Sequence, residues 1–491
     1  MTAILGIISI KYITNYLSPS TYGEYTTIYD YTALFAIIAD FGLFTIAVRE
    51  MAYGNRKEMI QKIVGNVLSL RTVLAIVSLG LGVFVAMLIP AYQNSHIPYG
   101  VLIVSIATII TLIAGTMSSV LQFYLRMHWA SIALSVGKLI TVGYIVLTVV
   151  YFFPNSPEAG FPHLLLAWIA GGLVTILITF IASRKLIPIS FQFDFSFWKS
   201  VLIKTLPYGL ALVLGTIYFR TGTIVLSMFK MKDQAGFYGV PLRFLEILQI
   251  IPHYFMNSVL PILAISLHAD GEKSQRIIKY SLNALACLAF PILVGGYLLA
   301  WPLTAAVSSP QFLTQKIGDS FFWGSDVALK ILLVAMCFTY VHVVFNYVLV
   351  AFNRQSELLW VNGVVVIVNV TLNLILAPRY GFIGSAVSAV CSEFVMLILL
   401  TIRVRKRIRN IWDFSFLAKA AFSAGLMGVV LFFTADYFNQ LLFSKSLFVL
   451  IPLGGVVFVA GLFVTRAFSK EMISLLRKTK TPAEETPSSS H

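Results

Sequence analysis

The sequence predicts an all-α, polytopic membrane protein. About fourteen transmembrane helices form two six-helix bundles, a parallel pseudo-repeat around a central cavity, with two extra helices at the C-terminus. Three observations predict it. Of the 491 residues, 58% are hydrophobic and only 11% charged, where a soluble domain carries about 25% charged residues. Long apolar runs recur from end to end. Lysine and arginine concentrate on alternate loops.

The apolar runs lie at roughly 2–17, 22–47, 64–90, 99–122, 131–153, 161–183, 203–229, 236–266, 278–301, 326–351, 358–377, 381–402, 415–437 and 446–466. Residues 302–325, with Lys316 and Asp319, read as a polar loop. The first run is short: at 1.5 Å per residue it reaches ~24 Å, against a ~30 Å hydrocarbon core. It contains Lys11 and no small-residue cleavage site follows, so it does not read as a secretory signal.

With the N-terminus placed in the cytoplasm, 25 of the 35 lysines and arginines fall on the inside loops and tail and 6 on the outside. These counts include lysines and arginines near the span ends, Lys138 among them; the other four, Lys11, Arg71, Arg220 and Arg243, lie deeper within runs. This asymmetry predicts a cytoplasmic-membrane protein with both termini inside. It also accounts for the net charge of +15 without nucleic acid.

The halves echo each other. Gly23-Glu24-Tyr25 opens span 2 and Gly236-Phe237-Tyr238 opens span 8, an offset of 213; Gly160-Phe161 and Gly381-Phe382 open spans 6 and 12 at an offset of 221. The expected division is an N-terminal bundle at 1–183, a cytoplasmic linker at 184–202, a C-terminal bundle at 203–402, helices 13 and 14 at 403–466, and a cytoplasmic tail at 467–491, disordered from Thr479.

Ionisable groups inside spans are costly and mark function. In span 8, Arg243, Glu246, Gln249, His253 and Asn257 share an arc of about 120° at 100° per residue. Span 2 carries Tyr22, Tyr25, Tyr29, Thr32, Ala36 and Asp40 on one face. Both stripes are expected to line a wet cavity; the alternative is helix–helix hydrogen bonding. Arg220, deep in span 7, is expected to face substrate, or else to pair with Glu246 or Asp40. Arg71, Lys138 and Lys11 either face the cavity or snorkel. Asn362, Asn369, Asn373 and Glu393 read as packing groups.

The chain has no GxxxxGK[ST], HExxH, CxxC or nucleophile elbow, and Cys287, Cys337 and Cys391 each sit in apolar runs. No enzyme, cofactor or metal site is expected. Embedded cations with few carboxylates suit an anionic ligand.

Pro19-Ser20-Thr21-Tyr22-Gly23-Glu24-Tyr25, Ala39-Asp40-Phe41-Gly42-Leu43 and Val48-Arg49-Glu50 resemble the opening of the polysaccharide and O-antigen flippases of the multidrug/oligosaccharidyl-lipid/polysaccharide exporter superfamily. Arg243-Phe244-Leu245-Glu246, Pro252, Pro261, Asn373-Leu374 and Pro378-Arg379-Tyr380-Gly381-Phe382-Ile383-Gly384 agree in order and spacing. The resemblance implies fourteen helices around a V-shaped cavity lined by helices 1, 2, 7 and 8. It implies alternating access that carries a polyprenyl-pyrophosphate-linked oligosaccharide to the outer leaflet. H+ or Na+ is a candidate coupling ion, against which Gly222, two residues after Arg220, counts.

Arg220, Arg243, Arg71 and Lys11 would then hold the diphosphate, and the polar lining would be Tyr22, Tyr25, Tyr29, Asp40, Glu246, Gln249, His253 and Asn257. A monomer in the bilayer is expected. Relatives often carry an acid two residues after the span 7 arginine. Gly222 stands there, which leaves Arg220 without a nearby charge. The rival readings are a cation-coupled multidrug exporter, a membrane glycosyltransferase or polymerase, and a scaffold that transports nothing.

Overall fold

Hydropathy joins residues 22–47 into one run, but the backbone divides it. In the computed structural model, which describes residues 2–52, 57–269, 271–408 and 411–467, helix α1 (Thr2–Tyr16) leads into α2 (Pro19–Asp40). Ser18 caps α2, accepting from the Thr21 amide at 3.3 Å. Phe41 and Gly42 then take positive φ of 40° and 75°. The left-handed step ends α2 and starts a separate helix, α3 (Leu43–Ala52).

The chain continues through α4 (Lys57–Leu88), α5 (Ile97–Phe123), α6 (Met127–Leu147), α7 (Pro157–Arg184), α8 (Phe195–Met228), α9 (Lys232–Ala269) and α10 (Gly271–Leu298). Asp194 caps α8 through the amides of Ser196 and Phe197, and its own amide donates to Asn66 Oδ1 at 2.7 Å, pinning the linker to α4.

Residues 302–325 correct the expectation of a plain polar loop. They hold most of α11 (Ala300–Val307), a 3-10 turn and a hairpin of β1 (Gln315–Ile317) and β2 (Ser320–Phe322), antiparallel with Lys316 opposite Phe321. Asp326 closes the segment by accepting from the amide and hydroxyl of Thr314, both at 2.8 Å. Local side-chain bonds thus order a stretch that composition alone reads as unstructured.

Then follow α12 (Ser325–Ala351), α13 (Gln355–Arg405), α14 (Phe414–Leu442) and α15 (Leu447–Val464). Within α13 Gly381 sits at φ 58°, ψ −139°, three residues after Pro378, and breaks the helix into the two expected spans. At this elbow the Phe382 amide donates to Gln234 Oε1 at 3.1 Å. Among the described residues eleven helices are long and apolar enough to cross a membrane; α1, α2 and the division of α13 bring the spans to fourteen. Large apolar side chains such as Val77, Phe84 and Leu81 stand exposed along α4, which suits a lipid surface. Helices α14 and α15 share their own apolar core, including Met427, Leu431 and Leu450, against α10. The basic tail from residue 468 onward, including the stretch expected to be disordered, lies outside the described residues.

Two glycines set the junction between the halves. A Cβ on Gly23 would collide with the Lys232 carbonyl, and a Cβ on Gly236 with the Pro19 carbonyl. Pro19 and Lys232 are themselves 213 positions apart, so the contact is reciprocal about the repeat. Bare backbone here lets α2 and α9 cross in direct contact. Glu24, buried beside this crossing, accepts from Lys232 Nζ and His96 Nδ1, each at 2.5 Å. Phe312, fully buried, packs on Tyr22 and Phe237 at centroid distances of 5.4 and 6.1 Å.

Candidate functional site

Below the crossing, α2 faces three of its tyrosines and smaller residues into a cavity of about 590 Å³. Tyr22, Tyr25, Tyr29, Thr32 and Ala36 line it, as their helical spacing predicts. Arg220 from α8 and Arg243 and Glu246 from α9 form the opposing wall, with Lys138 of α6 and Trp168 of α7 beside the tyrosines. The aromatic groups touch in sequence: Tyr25 and Tyr29 at 4.7 Å between centroids, Tyr29 and Trp168 at 5.1 Å. Trp168 Nε1 donates to Tyr25 OH at 3.3 Å.

The charged wall is a four-residue cluster. Arg220 Nη1 donates to Asp30 Oδ1 at 2.5 Å and to Glu246 Oε1 at 2.8 Å. Arg243 Nη1 donates to Glu246 Oε1 and Oε2 at 2.7 and 2.9 Å, and its Nη2 lies 3.5 Å from Asp30 Oδ1. Asp30 is fully buried, while the two arginine side chains keep 20% and 19% of their surface and Glu246 keeps 30%. Two cations and two anions therefore neutralise each other, with three of the four reaching the cavity. This corrects the expectation that Arg220 has no nearby charge, and the premise that carboxylates are scarce here. Gly222 serves packing instead: a Cβ there would meet the Tyr238 ring at 2.7 Å.

The remaining expected site residues divide. Arg71 does not reach the cavity; it is nearly buried, ion-paired with Asp40 and bonded to Thr116 Oγ1 at 3.2 Å. Asp40 is thereby held as its counter-ion and is absent from the lining. Lys11 is exposed and also off the lining. Gln249 lines a separate small void in the C-terminal half, with Tyr218, Asn373 and Glu393. His253 and Asn257 are exposed further along α9, where Tyr347 OH donates to Asn257 Oδ1 at 2.9 Å. The seam on α9 is therefore three environments. Asp30 and Trp168 were not among the expected site residues. The signal for Asp30 was its offset of 213 from Arg243.

A ring of long apolar helices around a charged chamber at mid-span defines a membrane transporter fold. It is shared with the lipid II flippase MurJ in an inward closed conformation, at TM-score 0.72, 15% identity, 95% of this chain and 97% of that one. It is shared too with an inward-facing multidrug resistance MATE family transporter of the MOP superfamily, at TM-score 0.64, 13% identity, 83% of this chain and 95% of that one. These likenesses concern the fold. The chain belongs to the polysaccharide biosynthesis protein family, whose pattern matches residues 1–266. It is also 26% identical over 222 residues to the probable flippase AglR of Haloferax volcanii, which covers 45% of each protein. The matched stretch thus spans about half the length of that relative.

Proposed function

We propose that the protein is a flippase. It carries a polyprenyl-pyrophosphate-linked oligosaccharide from the inner to the outer leaflet of the cytoplasmic membrane, for cell-surface polysaccharide, making and breaking no covalent bond. The observation that carries this reading is the Asp30–Arg220–Arg243–Glu246 cluster on the wall of a tyrosine-lined cavity. A sugar headgroup crossing hydrocarbon loses several kcal/mol for each unmatched polar group. Hydroxyls and aromatic faces replace its hydration, and the guanidiniums suit phosphate oxygens. The prenyl tail stays in lipid.

The units of motion are taken as residues 1–183 and 203–402, rocking about the cavity in alternating access. The α2–α9 glycine crossing closes the outer side. Both termini lie in the cytoplasm, by the basic-loop asymmetry. An inside-negative potential favours outward movement of an anion by ~2.3 kcal/mol per charge per 100 mV.

One observation favours a second reading, a cation-coupled exporter of small molecules: acids equal arginines in the cluster. The two readings separate in one experiment. Arg220→Ala is expected to leave lipid-linked oligosaccharide accumulating on the inner leaflet. Normal surface glycan in that variant, together with efflux of a cationic dye by the wild type, favours the exporter.

A further inference from the structure

The charges around the cavity do not cancel. Arg220 and Arg243 are matched by Asp30 and Glu246. Lys138, the other cation on the wall, has no carboxylate within ion-pair distance among the described residues. Its ammonium lies over the indole of Trp168, 4.3 Å from the ring centroid. An aromatic face attracts a cation through its quadrupole but bears no net charge, so the ammonium stays unneutralised.

Close helix packing sets this placement. A Cβ on Gly137 would collide with Thr175, and a Cβ on Gly171 with Thr141, so α6 and α7 cross in backbone contact. That crossing brings Lys138, next to Gly137, onto Trp168, three residues before Gly171. A snorkelling lysine would run along its helix to the interface; this one ends on a ring in the cavity wall.

We infer that Lys138 and Trp168 form the first docking subsite for an anionic, sugar-bearing headgroup. The ammonium takes an oxyanion while a pyranose ring lies against Trp168 and Tyr29. An anion approaching Arg220 must displace a carboxylate; at Lys138 it displaces none. The inference rests on the flippase reading. The oxyanion is a diphosphate oxygen or the carboxylate of an acidic sugar, and the test separates them.

Binding to the purified full chain is measured with two probes: a polyprenyl diphosphate bearing a neutral disaccharide, and the same lipid with one hexuronic acid. Loss of one charge-assisted contact weakens binding about tenfold. Lys138→Gln and Lys138→Met are expected to show that loss while Lys138→Arg retains binding. Loss with both probes assigns the diphosphate, and loss with the acidic probe alone assigns the sugar carboxylate. Arginine and methionine fill similar space, so equal binding by those two variants overturns the inference, as does wild-type affinity in Lys138→Gln. In either case the flippase reading stands. A wild type that binds neither probe overturns both.

Discussion

Asp30 and Arg243 are 213 positions apart, the offset that relates Gly23 to Gly236, and they meet across the junction of the halves at 3.5 Å. Equivalent positions of the repeat thus carry opposite charge, and the repeat's own axis pairs them. Arg220 and Glu246 complete the neutral cluster.

Removing the buried partner isolates two guanidiniums beside a single acid. Asp30→Ala is expected to destabilise the protein by about 3 kcal/mol, as for other broken buried pairs. Thermal melting of the purified chain in detergent measures it. A melting curve like that of the wild type would show that Asp30 does not hold the arginines.

Side chains at the glycine crossing force the halves apart. Gly23→Val meets the Lys232 backbone, which cannot turn away as a side chain would. With Cys287, Cys337 and Cys391 replaced by Ser and a cysteine placed at Thr26, an impermeant maleimide is expected to label the Gly23→Val variant faster from the side opposite the basic loops.

Glu24 and Lys232 join the halves beside that crossing. A double-mutant cycle of Glu24→Gln and Lys232→Met is expected to return a coupling of about 1–3 kcal/mol. Coupling near zero would mean that the pair forms without holding the crossing.

At the basic face, Arg407 donates to Glu357 at 2.5 and 3.2 Å and holds its carboxyl below the usual 4.5. A depressed carboxylate stabilises the fold above its unfolded value, and that stability is lost as pH falls through the lower, folded one. The wild type is therefore expected to lose about 0.5 kcal/mol more than Glu357→Gln below about pH 4, small because the pair is solvent-screened. Melting curves from pH 7 to 3 compare them.

The spans were legible because each is an apolar run closed by charge or proline. Their internal breaks were less so. Gly42 and Gly381 read as ordinary small residues until the backbone turns at them. The tyrosine stripe survived because α2 keeps one face to the cavity from Tyr22 to Ala36. The α9 seam did not: the cavity takes α9 only from Arg243 to Ile250, while Gln249 turns into a separate void and His253 and Asn257 stand exposed beyond it. The pairing of Arg71 with Asp40 and the burial of Asp30 are tertiary choices. A helical wheel says which face a charge occupies, but not which neighbour arrives there.

Gln234 sits two residues before Gly236 and accepts the Phe382 amide freed at the Gly381 elbow. The bend in α13 is thus bolted to the first turn of α9. Any displacement parting Gly23 from Gly236 must drag that elbow along, so flexure cannot be absorbed at this end. It falls further along α9, where Pro241, Pro252 and Pro261 have already removed three rungs of the helical ladder.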